Sequence, residues 1–269
     1  MSAPDRQIYS EAMRTQVNSP ILLLGDTSFI ATILRTSPFS ESIYFCSMRD
    51  HVEWKRFCLV NKEIGVSIIW CIKTKNCHDE INLLRQCFDF LGQTLVPYNF
   101  IYLSSFAVYR QGKRVSENRV IEPASNYGKI KLACESFLSN VVLETTLSNK
   151  VICLRLSSFY DQCCADSGIT PYVTYISENV PCTDSKFVFE CYGKDDLMQS
   201  VSEALSTRDD LPQYSVQDVY HVIKWSALGS GNQTLRGVVF WKLVIPLAWM
   251  LVRILPGRLR RFLGLFTSQ

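Results

Sequence analysis

A long uncharged apolar run is missing from this 269-residue chain. The longest uncharged apolar run is LVIPLAWMLV at 243–252, interrupted by Pro246. It is about half of the roughly 20 residues a spanning helix needs. Metal-binding spacing is also missing. There are only three histidines, and none of the eleven cysteines stands in a Cys-x-x-Cys pair. Cys77 and His78 are adjacent but have no partner at ligand spacing, so no metal is expected. The odd cysteine count does not suit a disulfide framework. The start MSAPDRQIYS has no apolar core of a secretory signal. The reading is therefore buried free thiols in a reducing cytoplasm. A net charge of +3 is too small to argue for nucleic acid, and no repeat or low-complexity tract appears.

What is present suits an ordinary globular core, with 47% apolar and 20% charged residues. Residues 1–18 are polar and read as a loose arm. In PILLLGDTSFIATILR, an apolar run ends at Gly25 and helical spacing resumes at Phe29. This predicts a buried strand, a tight turn and a helix start. SIYFCSM (42–48), GVSIIWCI (65–72), NFIYLSS (99–105) and VICLRLSS (151–158) read as further strands. Between them, Ile81, Leu84, Phe88 and Leu91 mark a helix over 79–95. Ile130, Ala133, Cys134, Phe137 and Leu138 mark another, beginning at NYGKIK. Strands alternating with helices predict an α/β fold, a Rossmann-type doubly wound parallel sheet. Beyond residue 160 the pattern is less regular, and helices are predicted at 196–205 and 216–228.

In SSFAVYRQGKRVSENRVIEPASNYGKIK, a Ser–Ser pair ends a predicted strand and a Tyr and Lys four apart open the next helix. Ligands of such sheets bind beyond the carboxyl ends of the strands. Tyr127 and Lys131 would share one helix face, whereas Lys129 would point elsewhere. A phenol titrates near pH 10, and a neighbouring ammonium favours its phenolate. With a serine hydroxyl opposite, this is an acid–base site for an alcohol or ketone, provided a cofactor handles the hydride.

At these residues the chain resembles the extended short-chain dehydrogenase/reductase superfamily, also called the NAD-dependent epimerase/dehydratase family. YLSSFAVY is similar to its serine segment, YGKIK to its Tyr-x-x-x-Lys, and VICLRLSSFYD to its Arg-Pro-x-x-Val-Tyr-Gly strand. GKDDLMQSVSEAL resembles a later segment in which Asp-Asp-Leu opens a helix. The resemblance implies a nicotinamide cofactor, NAD or NADP, and a nucleotide-sugar substrate. It implies Ser105, Tyr127 and Lys131 as catalytic residues, with Asn82 shaping the site. Cofactor contacts would come from Gly25, Thr27, Ser28, Phe29, Ile30, Arg49, Ser104, Tyr127 and Lys131. Substrate contacts would come from Ser105, Tyr127 and Ser158, with Tyr172, Tyr175 and Asn179 as further candidates.

Several segments depart from the family pattern. The family's Gly-x-x-Gly-x-x-Gly reads Gly25, Ser28, Ala31 here. Alanine at the third position still permits close helix–strand packing. Serine at the second fits the pyrophosphate only with negative φ. SMRD places Arg49 and Asp50 where an arginine favours NADP and an acid NAD; Arg49 tips the reading weakly to NADP. The segment WKRFCLVNKEIG lacks the family's usual Gly-Asp, and WCIKTKN replaces its His-x-Ala-Ala. Phe106 and Ala107 follow Ser105 where a dehydratase would carry an acidic pair.

The domain reading is an arm at 1–18, a dinucleotide-binding domain at 19–160, a partly interleaved substrate lobe at 161–237 and an apolar, basic tail at 238–269. That tail either packs on the lobe or a second subunit, or touches a membrane surface at the inner face. Similar tails in relatives that assemble polysaccharides suggest that context, and the resemblance also implies a homodimer through the helix carrying Tyr127. The functional expectation is an NAD(P)-dependent nucleotide-sugar epimerase or reductase. The alternative is a non-catalytic dinucleotide-binding scaffold or sensor.

Overall fold

The computed structural model describes residues 19–37, 40–74, 76–109, 120–143, 149–160, 188–206 and 212–224. The predicted N-terminal arm, the C-terminal tail, and Tyr172, Tyr175 and Asn179 lie outside these residues.

Apolar runs bounded by turns form the sheet. Its strands are β1 (Ile21–Leu24), β2 (Ile43–Cys46), β3 (Val66–Trp70), β4 (Tyr98–Ser105), β5 (Lys150–Leu156) and β8 (Tyr214–Val219). They lie in the order β2-β1-β3-β4-β5-β8, and all five pairings are parallel. Buried on both faces, β1 and β3 have no exposed position, which is why they read as unbroken apolar runs. The helices joining these strands are α1 (Phe29–Arg35), α2 (His51–Val60), α3 (Cys77–Thr94) and α4 (Asn126–Leu143). A fifth helix, α5 (Lys194–Leu205), precedes β8.

Strand alternation divides the core between two faces. Leu22, Leu24, Ile68, Trp70, Phe100, Tyr102 and Cys153 join the buried residues of α2, α3 and α4 in one cluster. On the opposite face, Asn99 donates from its amide to the Ala204 carbonyl of α5 at 2.8 Å. Helices on both faces make this a doubly wound α/β sheet, as the sequence pattern predicts.

The predicted helix at 216–228 is a correction. Residues 214–219 are strand β8 and His221–Lys224 are strand β9; 225–228 lie outside the described residues. Apolar residues three and four apart imitate a helix here. However, β5 has a free edge, and Val216 and Val219 suit a pleated strand.

The described residues fall into two units. One holds the residues up to Ser157 together with Tyr192–Tyr220. The other holds Ser158–Cys191 and the residues from His221. The strands β6 (Ser158–Phe159), β7 (Val188–Tyr192, all but its last residue in the second unit) and β9 form a three-stranded sheet, with β7 and β9 antiparallel. Among the described residues no helix is long and apolar enough to cross a membrane.

Candidate active site

The sheet order turns back between β1 and β3, and α/β ligand sites form at such switch points. A cavity of about 280 Å³ lies at the carboxyl ends of β1, β3, β4 and β5. Its lining includes Ser28, Lys73, Ser105, Tyr127, Lys131 and Tyr192.

The turn after β1 is shaped by Gly25. Its φ is +102°, and a Cβ there would stand 2.9 Å from the carbonyl carbon of Cys71. Only glycine meets both conditions. Ser28 has φ −72° and ψ 154°, the negative φ its position requires. Its Oγ accepts the Ala31 N–H at 3.1 Å and so caps α1. The hydroxyl is therefore already committed to the helix. Phe29 and Ile30 line the cavity, while Thr27 is exposed and outside it.

Ser105 and Tyr127 line one cavity because Gly128 lets two elements touch. A Cβ on Gly128 would lie 2.0 Å from the Ala107 carbonyl oxygen. Ser125 Oγ accepts the Gly128 N–H at 3.0 Å and starts α4 against the turn at 106–108. Ser105 Oγ accepts the Ala107 N–H at 3.2 Å, which fixes that turn. Both candidate residues thus line one cavity. Ser104 differs. Its buried hydroxyl donates to Glu135 Oε1, and Glu135 pairs in turn with Arg155. Arg155 donates to Tyr109, which donates to Asp218 on β8. Ser104 lines the cavity with its hydroxyl held in this network.

Lys131 is 2% exposed. Its Nζ donates to Glu80 Oε1 at 2.8 Å and Tyr102 OH at 3.1 Å, with the Ile72 carbonyl at 3.5 Å. Glu80 also accepts from Tyr102 at 2.8 Å and from Thr74 at 3.3 Å. Burial, and then the Glu80 charge, push the Tyr102 phenol well above its ordinary range. Lys131 Nζ lies 5.8 Å from the Tyr127 ring centre, and Lys73 Nζ lies 5.1 Å from it. Burial, followed by the nearby Tyr127, raises the Tyr192 phenol. Cys71, another wall residue, is a thiol pushed up to about 12 by burial, against smaller opposing effects of Ser28 and Lys131.

Besides Gly25 and Thr27, the anticipated residues Asn82, Arg49 and Ser158 are absent from the lining of this cavity. Asn82 is exposed and accepts a bond from Arg85 at 3.2 Å. At 100° per residue it lies about 200° around α3 from Glu80, the residue that does face inward. Arg49 is exposed after β2, and Asp50 uses its carboxylate to cap α2 at the Glu53 N–H. Ser158 lies in β6 of the second unit and is exposed.

Glu80, Tyr102, Lys73 and Tyr192 were not anticipated. Glu80 carried a readable signal: it continues the stripe of Leu84, Cys87, Phe88 and Leu91 by one turn toward the N-terminus. A carboxylate on a buried stripe requires a partner. Ser157 adds a further polar group to the cavity wall, its Oγ buried and without a hydrogen-bond partner among the described residues.

The parallel sheet, its switch point and the glycine turn define a Rossmann-like α/β fold. Among solved structures, the chain is similar to MoeE5 in complex with UDP-glucuronic acid and NAD, with a TM-score of 0.57 and 16% identity over 78% of this chain and 80% of that one. It is similar to UDP-glucose 4-epimerase from Brucella ovis in complex with NAD, with a TM-score of 0.56 and 13% identity over 78% and 80%. It is also similar to UDP-N-acetylglucosamine 4-epimerase from Bacillus cereus, with a TM-score of 0.55 and 14% identity over 81% and 90%. No protein-family model matches the chain, and no curated protein matches it.

Proposed function

We propose that this chain is a divergent short-chain dehydrogenase/reductase that binds a nicotinamide dinucleotide and acts on a nucleotide-sugar as an epimerase or reductase. One observation carries the reading: Ser28, Ser105, Tyr127 and Lys131, drawn from three separate segments, line a single cavity at the switch point of the sheet. The solved structures of like fold with bound NAD and a UDP-sugar support the same ligand classes.

The residues present fit such a cofactor. Gly25 makes the tight turn against the Cys71 backbone that brings the start of α1 to the cavity, Ser28 has the required negative φ, and Ser157 brings an unpartnered buried hydroxyl to the wall. The segment Gly25–Ile30, with Tyr127, would hold it, and the cofactor when bound supplies hydride transfer. Tyr127 moves the proton of a sugar hydroxyl, acting as acid in one direction and base in the other. Ser105 holds that oxygen by a hydrogen bond while its own Oγ anchors the turn. Arg49, free of the capping role that occupies Asp50, is the residue through which NADP would be preferred.

A non-catalytic dinucleotide sensor is favoured by one observation, the pairing of Lys131 with Glu80. Titration with NADH and NADPH in parallel, followed by fluorescence, tests cofactor binding first. Micromolar binding is the expected result; none up to millimolar cofactor by the folded protein would overturn the dinucleotide reading. Tyr127→Phe then separates the two functions. The enzyme loses at least ~100-fold in turnover with unchanged cofactor affinity, whereas a sensor keeps its function.

A further inference from the structure

We propose that Lys73, rather than Lys131, is the cation that acts on Tyr127. The inference rests on the reading of Tyr127 as the acid–base group and assigns the charge that supports it.

Lys131 stands at the sequence position where that charge is expected, but the fold gives it another task. Its ammonium has three protons, and Glu80, Tyr102 and the Ile72 carbonyl accept them. The ion pair with Glu80 is buried on both sides, with side-chain exposures of 3% and 1%. At such burial a carboxylate 2.8 Å away cancels most of the field the ammonium would send outward. What reaches Tyr127 is closer to the field of a dipole than of a charge.

Lys73 is placed differently. It follows β3 in the segment where the family's His-x-Ala-Ala is replaced. It is exposed, lines the cavity, and carries its Nζ 5.1 Å from the Tyr127 ring centre. Among the described residues no carboxylate pairs with it. An unpaired ammonium over a tyrosine ring is attracted by the ring's negative face, and more strongly as the ring gains charge. The other groups facing Tyr127 are Lys131 one turn along α4 and the phenol of Tyr192; Cys71 lines the same cavity. Lys73 is thus the one uncompensated cation in this set.

The test reads Tyr127 directly and requires no turnover. Tetranitromethane nitrates tyrosine through its phenolate, and peptide mass spectrometry reports the rate at each site. Lys73→Met keeps the side-chain length, and its exposed position leaves folding intact. It should slow nitration of Tyr127 roughly two- to fivefold, the size an exposed ammonium–ring contact provides. The rate at Tyr44, which lies apart from the cavity, should not change, and Lys73→Arg should restore the rate at Tyr127. The double variant Glu80→Gln with Lys131→Met, checked for folding by circular dichroism, should leave the Tyr127 rate within about twofold. An unchanged rate in Lys73→Met overturns the proposal, and so does a larger slowing in the double variant. Failure to turn over any nucleotide-sugar would sink the enzyme reading while leaving the nitration result standing.

Discussion

The residue scale explains why one lysine cannot be judged by spacing alone. Tyr127 and Lys131 are four apart on α4, as an acid–base pair requires. Yet the alternation of β4 places Tyr102 on the same face as Phe100, and α3 places Glu80 opposite. The lysine is drawn down to both. Removing one partner of such a pair leaves a charge buried alone, which costs about 3–5 kcal/mol. Lys131→Met should therefore lower the urea midpoint strongly, and the double variant with Glu80→Gln should recover much of the loss. Equal losses in the two variants would contradict a true buried pair.

At the scale of elements, the site depends on how closely α4 meets the turn after β4. Sequence periodicity identified both elements, and the Ser and Tyr motifs fell on them as predicted. Their contact depended on Gly128, which has no side chain to obstruct the Ala107 carbonyl. Gly128→Ala inserts a methyl at an impossible 2.0 Å from that oxygen, so the helix or the turn must move. A destabilisation of about 1–3 kcal/mol or more is expected, with cofactor affinity falling as Ser105 and Tyr127 separate. Thermal denaturation and NADH titration of the variant check both parts. The elements misread from sequence, β8 and β9, have the opposite cause. Their apolar spacing fits two periods, and the choice is made by the open edge of β5, a long-range partner that no local window contains.

For the molecule as a whole, the core is notable for the thiols it buries. Cys58, Cys71, Cys134 and Cys153 are each pushed from 9.0 up to about 12, chiefly by burial. The sign follows directly. The folded protein keeps these protons while the unfolded chain releases them near pH 9, so raising the pH favours unfolding. Stability should be complete below about pH 9 and decline toward pH 12. Each such thiol contributes up to ~1.4 kcal/mol per pH unit in that window. Urea midpoints at pH 7.5, 9 and 10.5 test this; a midpoint unchanged at pH 10.5 would show that the thiols are not buried as described. Among the described residues the sheet also ends at β2 on one side, and the chain passes from α2 through a short turn directly into β3.

The sequence by itself determined the strand–helix alternation, the parallel sheet, the glycine turn and the serine and tyrosine at the strand end, because each is written in local periodicity or in a short motif. Only the tertiary structure decided which polar groups meet. It turned Asn82 outward and Glu80 inward, tied Ser104 to Glu135, paired Lys131 and left Lys73 over Tyr127. The physical reason is that charge pairing depends on distances between segments far apart in the chain, 51 residues for Lys131 and Glu80, and these are set by packing across the sheet.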